Sequence, residues 1–182
     1  MERGLLMSSV DDILNDVLDD DAYYDPGEKT IIPEGSYPAH IISFDISREK
    51  NTRYGNPYNI YKPEYRIDKS VDIYGGMSIG DKGIFRFRGK NNNPSKKSNA
   101  KGNLPYKNML DKLEIPLTKV SVKGKEVFKL PSIGEDQVIG IPVIINVYHD
   151  TFKGIYGVQK NAVATIAHMW KDGKRIESSV PF

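Results

Sequence analysis

Five β-rich segments, separated by turns rich in Gly, Pro and Lys and interrupted once by a helical stretch, constrain this fold more than any other feature. Ile31-Ile32-Pro33-Glu34-Gly35 reads as a turn feeding the first segment, Tyr37 to Ile46, where Ile42, Phe44 and Ile46 share one face of a period-two pattern. The second runs from Tyr58 to Ile67, with Tyr61 and Tyr65 on the side opposite Tyr58 and Arg66. The third, Gly83 to Arg88, alternates cleanly: Phe85 and Phe87 on one face, expected inside, Arg86 and Arg88 on the other, expected outside. Asn108 to Ile115 sets Met109, Leu110 and Leu113 at helical spacing. Val120 to Leu130 reads as a minor hairpin turning at Lys123-Gly124-Lys125. Ile141 to Tyr148 reads as a buried strand, Asp150 to Gly154 as a turn, and Ile155 to Trp170 as a final strand or pair. Asp172-Gly173 carries a hairpin-type turn signal.

The resulting order, β-β-β-α-β-β, is that of a mainly β, OB-like five-stranded barrel. The expected organisation is an acidic helical extension over residues 1–28, the barrel over 29–172, and a C-terminal tail over 173–182. In the extension, Val10, Ile13, Leu14, Val17 and Leu18 form the stripe of an amphipathic helix. Ser8 or Ser9 caps it, and Asp11 and Asp12 suit the positive end of its dipole.

Charge divides the chain at the same boundary. Residues 1–28 hold nine acids against the single base Arg3, a net of −8, which leaves 25 bases and 15 acids, a net of +10, in residues 29–182. A basic body with an acidic arm points to a polyanionic partner. The 11 Tyr against one Trp favour half-exposed surfaces, because a phenol joins an apolar face to a polar tip.

Several classes are disfavoured. The absence of Cys removes disulfides and thiolate metal sites and suits a reducing compartment. No apolar run approaches the roughly 18–20 residues of a membrane span, and Met1 to Met7 holds too little for a secretory signal. The expectation is a cytoplasmic protein of a bacterial or virus-infected cell, without cofactor. His40, His149 and His168 lack metal-ligand spacing, and no carboxylate supports a triad. Gly75 to Lys82 has the glycine spacing of a phosphate loop, but Asp81 stands where the Lys belongs.

What remains points to unpaired nucleic acid. Arg86 and Arg88 on one strand face have the spacing to track phosphates and stack on bases, although a plain solvated face has the same pattern. The stretch Arg48 to Tyr58 interleaves Arg53, Tyr54 and Tyr58, while Arg66 lies further along the second strand. Gly89 to Asn103 is apolar-poor and basic, with Lys90, Lys96, Lys97 and Lys101 placed to draw in a backbone or merely to confer solubility. Lys153, Tyr156 and Lys160 mark the tip of the last hairpin. The acidic helix Val10–Leu18 reads as a docking point for a replication protein, as an arm that competes with DNA for the basic face, or as a structural helix on the barrel. The tail Val180-Pro181-Phe182 is a second docking candidate.

Five pieces carry a family resemblance over roughly three quarters of the chain. They are Ile32-Pro33-Glu34-Gly35-Ser36-Tyr37, Tyr54-Gly55-Asn56-Pro57-Tyr58, Asn108 to Pro116, Gly140-Ile141-Pro142-Val143, and Tyr148 to Lys160. Together they resemble the OB-fold single-stranded-DNA-binding proteins of phage replication and recombination gene clusters. The resemblance implies a non-enzymatic protein that coats single-stranded DNA without sequence preference. RNA is a further candidate ligand; a virion or assembly protein and a metal-dependent nuclease are the competing readings.

Overall fold

The computed structural model describes residues 31–53, 55–88, 102–155 and 157–177. The chain divides into two units, Met1–Ile31 and Ile32–Phe182, and every described strand and helix belongs to the second. The expected acidic helix, Tyr54, the lysines at 90, 96, 97 and 101, Tyr156 and the tail Ser178–Phe182 lie outside the described residues.

The protein is mainly β. Strands β1 (Gly35–Ile46), β2 (Lys50–Asn51), β3 (Pro57–Ile67), β4 (Ser78–Gly80) and β5 (Ile84–Phe87) precede helix α1 (Leu104–Lys112). Then come the hairpin β6 (Thr118–Val122) and β7 (Lys125–Lys129), the short helix α2 (Glu135–Val138), and the long strands β8 (Pro142–Gly154) and β9 (Gly157–Met169). One antiparallel sheet runs β2-β3-β1-β8-β9, with β4 and β5 both pairing with β3; β6 and β7 form a separate ribbon. Among the described residues no ladder joins β4 or β5 to β9, so hydrogen bonding leaves the sheet open. Helix α1 packs against both β5 and β9 at that seam.

The first strand departs from simple alternation. Ala39, Ile41 and Phe44 face the core, because a bulge between Ile41 and Ser43 shifts the register against β3. The bulge reverses the facing of the residues beyond it. Ile42, at the shift, is only half-buried. Ile46, opposite the buried Tyr61, returns to the core side with Phe44 yet is 41% exposed at the strand's end, so the single apolar face expected from the sequence is broken. On β3, by contrast, Tyr61, Pro63, Tyr65 and Ile67 are all buried. The rings of Phe44 and Tyr61 lie 5.5 Å apart, and those of Tyr61 and Tyr106 5.0 Å apart. Helix α1 buries Tyr106, Met109 and Leu110, an i, i+3, i+4 set. It begins a turn earlier than the apolar spacing indicates, because Pro105 suits a first helical turn.

Two further expectations are corrected. Asp150 to Gly154 is no turn: it continues β8 into a ribbon paired with β9 as far as Gly154 opposite Gly157. Residues 173–177 of the expected tail are fastened to the body. Ile176 N–H donates to the Gly140 carbonyl at 3.0 Å, and the Arg175 guanidinium donates to the carbonyls of Asp136, Gln137 and Ile139 around the end of α2. Here a cation meets the negative end of a helix. His40, only 8% exposed, lies 2.9 Å from the Lys174 carbonyl through Nε2, with Trp170 edge-on at 5.6 Å. This strap covers one end of the outer sheet face.

Candidate nucleic-acid interface

The facing of β3 fixes what its neighbours display. Residues directly opposite in an antiparallel ladder share a face, and Tyr61 and Tyr65 point into the core. Tyr58 and Ile60 therefore point outward. Tyr58 is registered with Phe87, and Ile60 with Phe85, so both phenylalanines are outward as well. On the other side of β3, Lys50 is registered with Tyr58. The outer face thus carries a row Lys50–Tyr58–Phe87, with Ile60 and Phe85 behind it.

The three rings form one cluster. Tyr58 lies 5.7 Å from Phe85 and 5.6 Å from Phe87, and the two phenylalanines stack at 5.9 Å with 12° between their planes. Phe85 is 42% exposed, and Tyr58 and Phe87 are half-buried. Asn103 holds the free edge of β5: its Oδ1 accepts from Phe87 N–H at 2.7 Å, and its Nδ2 donates to the Phe87 carbonyl at 2.9 Å. The side-chain amide replaces a missing strand, which keeps the backbone beneath the rings satisfied.

This arrangement reverses the expected roles on β5. Arg86, expected on the solvent face with Arg88, turns inward. One of its NH2 groups donates to the Leu130 carbonyl at 3.1 Å, and its guanidinium carbon lies 5.7 Å from the Tyr106 ring centroid. Its Nε is buried without a partner. The physical reason is register: opposite Asn59 and beside Tyr61, the Arg86 position falls on the core face of β3. Burial, with Tyr61 alongside, pushes the Tyr106 phenol up, and Arg86 pulls it partly back.

The other expected residues fall into separate groups. Arg53 is exposed in a turn closed by bonds between Thr52 and Asn56, next to the start of β3. Arg88 is exposed and ion-paired with Glu49. Arg66 lies eight positions along β3 from Tyr58, about 26 Å at the usual rise per residue, opposite His40 and under the strapped end. It does not join the ring cluster. Lys153 and Lys160 are exposed and share one face of the β8–β9 ribbon, since Thr151 pairs with Lys160 and Lys153 with Val158. Strands β1 and β8 intervene between that ribbon's β9 and β3.

Phe85, Phe87 and Lys50 were absent from the expected site. Their signal was the ladder parity of Tyr58, which needs the strand pairing to be known.

A second group sits at the seam. Asp81 is half-buried near Tyr65, Tyr148 and Lys112; burial pushes its carboxyl up, and the Gly83 N–H donated to Oδ1 at 3.0 Å only partly opposes this. The buried Tyr65 hydroxyl faces Asp81 short of hydrogen-bond geometry, and burial followed by that carboxylate pushes the phenol up. Among the described residues, no three His, Asp or Glu side chains gather to hold a metal ion, and no helix is long and apolar enough to cross a membrane. No protein-family model, curated protein or solved structure matches the chain.

Proposed function

We propose that the protein binds single-stranded nucleic acid, DNA in the first instance, by stacking bases on the outward cluster of Tyr58, Phe85 and Phe87. The carrying observation is a cluster of three mutually packed rings on an outward strand surface, Phe85 exposed and Tyr58 and Phe87 half-buried, with Lys50 at its edge. Such rings gain more from the apolar interior than from water, and a base offers an alternative cover for their faces. Stacking is indifferent to base identity, so binding without sequence preference follows from it. The +10 body outside the acidic arm supplies the long-range attraction.

The scaffold reading is an OB-like barrel. Its support is the strand path β5-β3-β1-β8-β9, the helix between β5 and β8, and the packing of α1 across the open seam. In such barrels the second and third strands display the binding face, and β3 and β5 hold those positions here. Coating of unpaired DNA during phage replication or recombination is the role that fits this surface and the family resemblance.

The test is anisotropy of labelled oligo-dT with Tyr58→Ala, Phe85→Ala and the double variant. Each single change should weaken binding about 5- to 150-fold, from about 1–3 kcal/mol per stacked base. Wild-type binding should also weaken steeply with salt. A wild-type protein that binds no oligo-dT at low salt, or double-variant affinity equal to wild type, sinks the reading.

One observation favours an assembly protein instead. Phe152, Ile155 and Val158 at the β8–β9 tip are 42%, 96% and 77% exposed, an apolar end suited to another protein surface. A discrete oligomer that Ile155→Lys dissolves, with no oligo-dT binding, would select that reading.

A further inference from the structure

A second concave surface adjoins the ring cluster at the free edge of β5. It is a cleft of 560 Å³ between β5, the start of α1 and the β6–β7 hairpin, a size within the usual range for small-ligand sites. Phe87 lines it, so one residue belongs to both surfaces. Among the described residues that line it, Arg86, Lys107 and Lys125 are cations and none is a carboxylate.

Their charges are unequally compensated. Lys107 pairs with Asp111 at 2.6 Å. Among the described residues, Arg86 and Lys125 have no carboxylate partner, and Arg86 spends one NH2 on a neutral carbonyl. Uncompensated charge in a concave, partly apolar wall focuses the field on whatever enters.

The hairpin itself has little other reason to stand where it does. Every residue from Ser121 to Lys129 is exposed, and a two-stranded ribbon is barely stable alone. It is held at its base: Arg86 donates to Leu130, and the Tyr106 hydroxyl donates to Pro131 at 2.7 Å. The Phe128 ring lies 4.8 Å from Lys107 Nζ and 5.7 Å from Lys119 Nζ. Lys119, Lys123, Lys125 and Lys129 face the single acid Glu126 over its length. A ribbon fixed at one end, basic along its length and bordering a cationic cleft has the form of a jaw.

We propose that this cleft takes the sugar–phosphate backbone of the strand that leaves the ring cluster, with the β6–β7 hairpin as one jaw. The inference rests on the ring cluster being a base platform, because Phe87 supplies the continuity between the two. Arg86 and Lys125 meet the phosphate charge, and Phe128 borders the adjoining sugar and base.

The test uses the full chain and an oligo-dT of about 12 nucleotides, long enough to span both surfaces. Lys125→Glu should weaken binding about tenfold with an unchanged melting temperature, since it sets a like charge against phosphate. Lys125→Gln should lower the log–log salt slope by about 0.7. The chain has no cysteine, so Val122→Cys provides a single thiol at the cleft. An oligo-dT carrying a thiol-reactive backbone group should alkylate it, and excess unmodified oligo-dT should block the reaction. Wild-type affinity in Lys125→Glu, or no protectable alkylation of Val122→Cys, overturns the cleft. Phe85→Ala run in parallel separates the two failures. If it weakens binding while the Lys125 variants do not, the platform stands and the cleft falls; if only the Lys125 variants weaken binding, the platform falls.

Discussion

Phe87 and Asn103 are joined by a reciprocal pair of hydrogen bonds, 2.7 Å from the Phe87 N–H to Oδ1 and 2.9 Å from Nδ2 to the Phe87 carbonyl. A side chain thus finishes the edge of the strand that displays the ring cluster. Asn103 also occupies the position preceding α1 yet makes no side-chain cap there, because both ends of its amide are engaged by β5.

Asn103→Ala therefore strips two backbone groups of their partners at once. At about 0.5–1.5 kcal/mol per bond, the loss of stability should be about 1–3 kcal/mol. Urea denaturation should show a lower midpoint, and oligo-dT affinity should fall with the loosened Phe87. Asn103→Asp keeps the acceptor and loses the donor, so it should fall between the two. An unchanged midpoint in Asn103→Ala would show that water replaces the amide at no cost.

The two arginines of β5 should behave as opposites. Arg86→Ala leaves the Leu130 carbonyl without its donor and Tyr106 without its cation, a cost of about 1–3 kcal/mol. The ion-paired side chains of Arg88 and Glu49 are 44% and 47% exposed. Arg88→Ala should therefore change stability by about 1 kcal/mol at most. Thermal melts of the two variants side by side decide it; equal melting temperatures would place Arg86 in solvent after all.

This contrast shows where sequence reading stops. Alternation along β5 separated Phe85 and Phe87 from Arg86 and Arg88 correctly, but it leaves the choice of inner face to hydrophobicity. Hydrophobicity chose the phenylalanines. Pairing with β3 overrides that choice, because Tyr61 and Tyr65 already occupy the core and the ladder imposes their parity on β5. The pairs Tyr61/Tyr65 and Tyr58/Arg66 on β3 were legible as opposite faces, and so was the hairpin turn at Lys123-Gly124, where φ values of 52° and 75° suit its two residues. The bulge in β1 and the strap at 173–177 were not, since each depends on contacts between segments far apart in sequence.

Gly140 and Gly124 provide a matched pair. Their φ values are 78° and 75°, so alanine meets a left-handed backbone at either, at about 1–2 kcal/mol. Around Gly124 an added Cβ meets nothing within 4 Å, whereas at Gly140 it would come within 1.9 Å of the Ile176 carbonyl oxygen. Gly140→Ala must also push away the strap and its bond to the Gly140 carbonyl. Its total cost should reach about 3 kcal/mol, a sum of strain and a lost buried bond. Chemical denaturation of both variants tests this, and equal losses would show that the strap contributes nothing.

Asp81 makes stability depend on pH in a direction opposite to that of a salt-bridged carboxylate. Its folded-state pKa is raised, first by burial, so the native state holds this proton more tightly than the unfolded chain does. Above the raised value the native state carries a half-buried charge and bears the full penalty. As pH falls through that value towards the unfolded carboxylate range, protonation favours the native state and the penalty disappears. Asp81→Asn keeps an oxygen for the Gly83 N–H and removes the charge. The variant should melt higher than wild type at pH 7, and the gap should close as pH falls towards 4. A gap that is absent at pH 7, or that widens in acid, would mean that Lys112 and the Gly83 N–H outweigh desolvation and that Asp81 stabilises the seam as an anion.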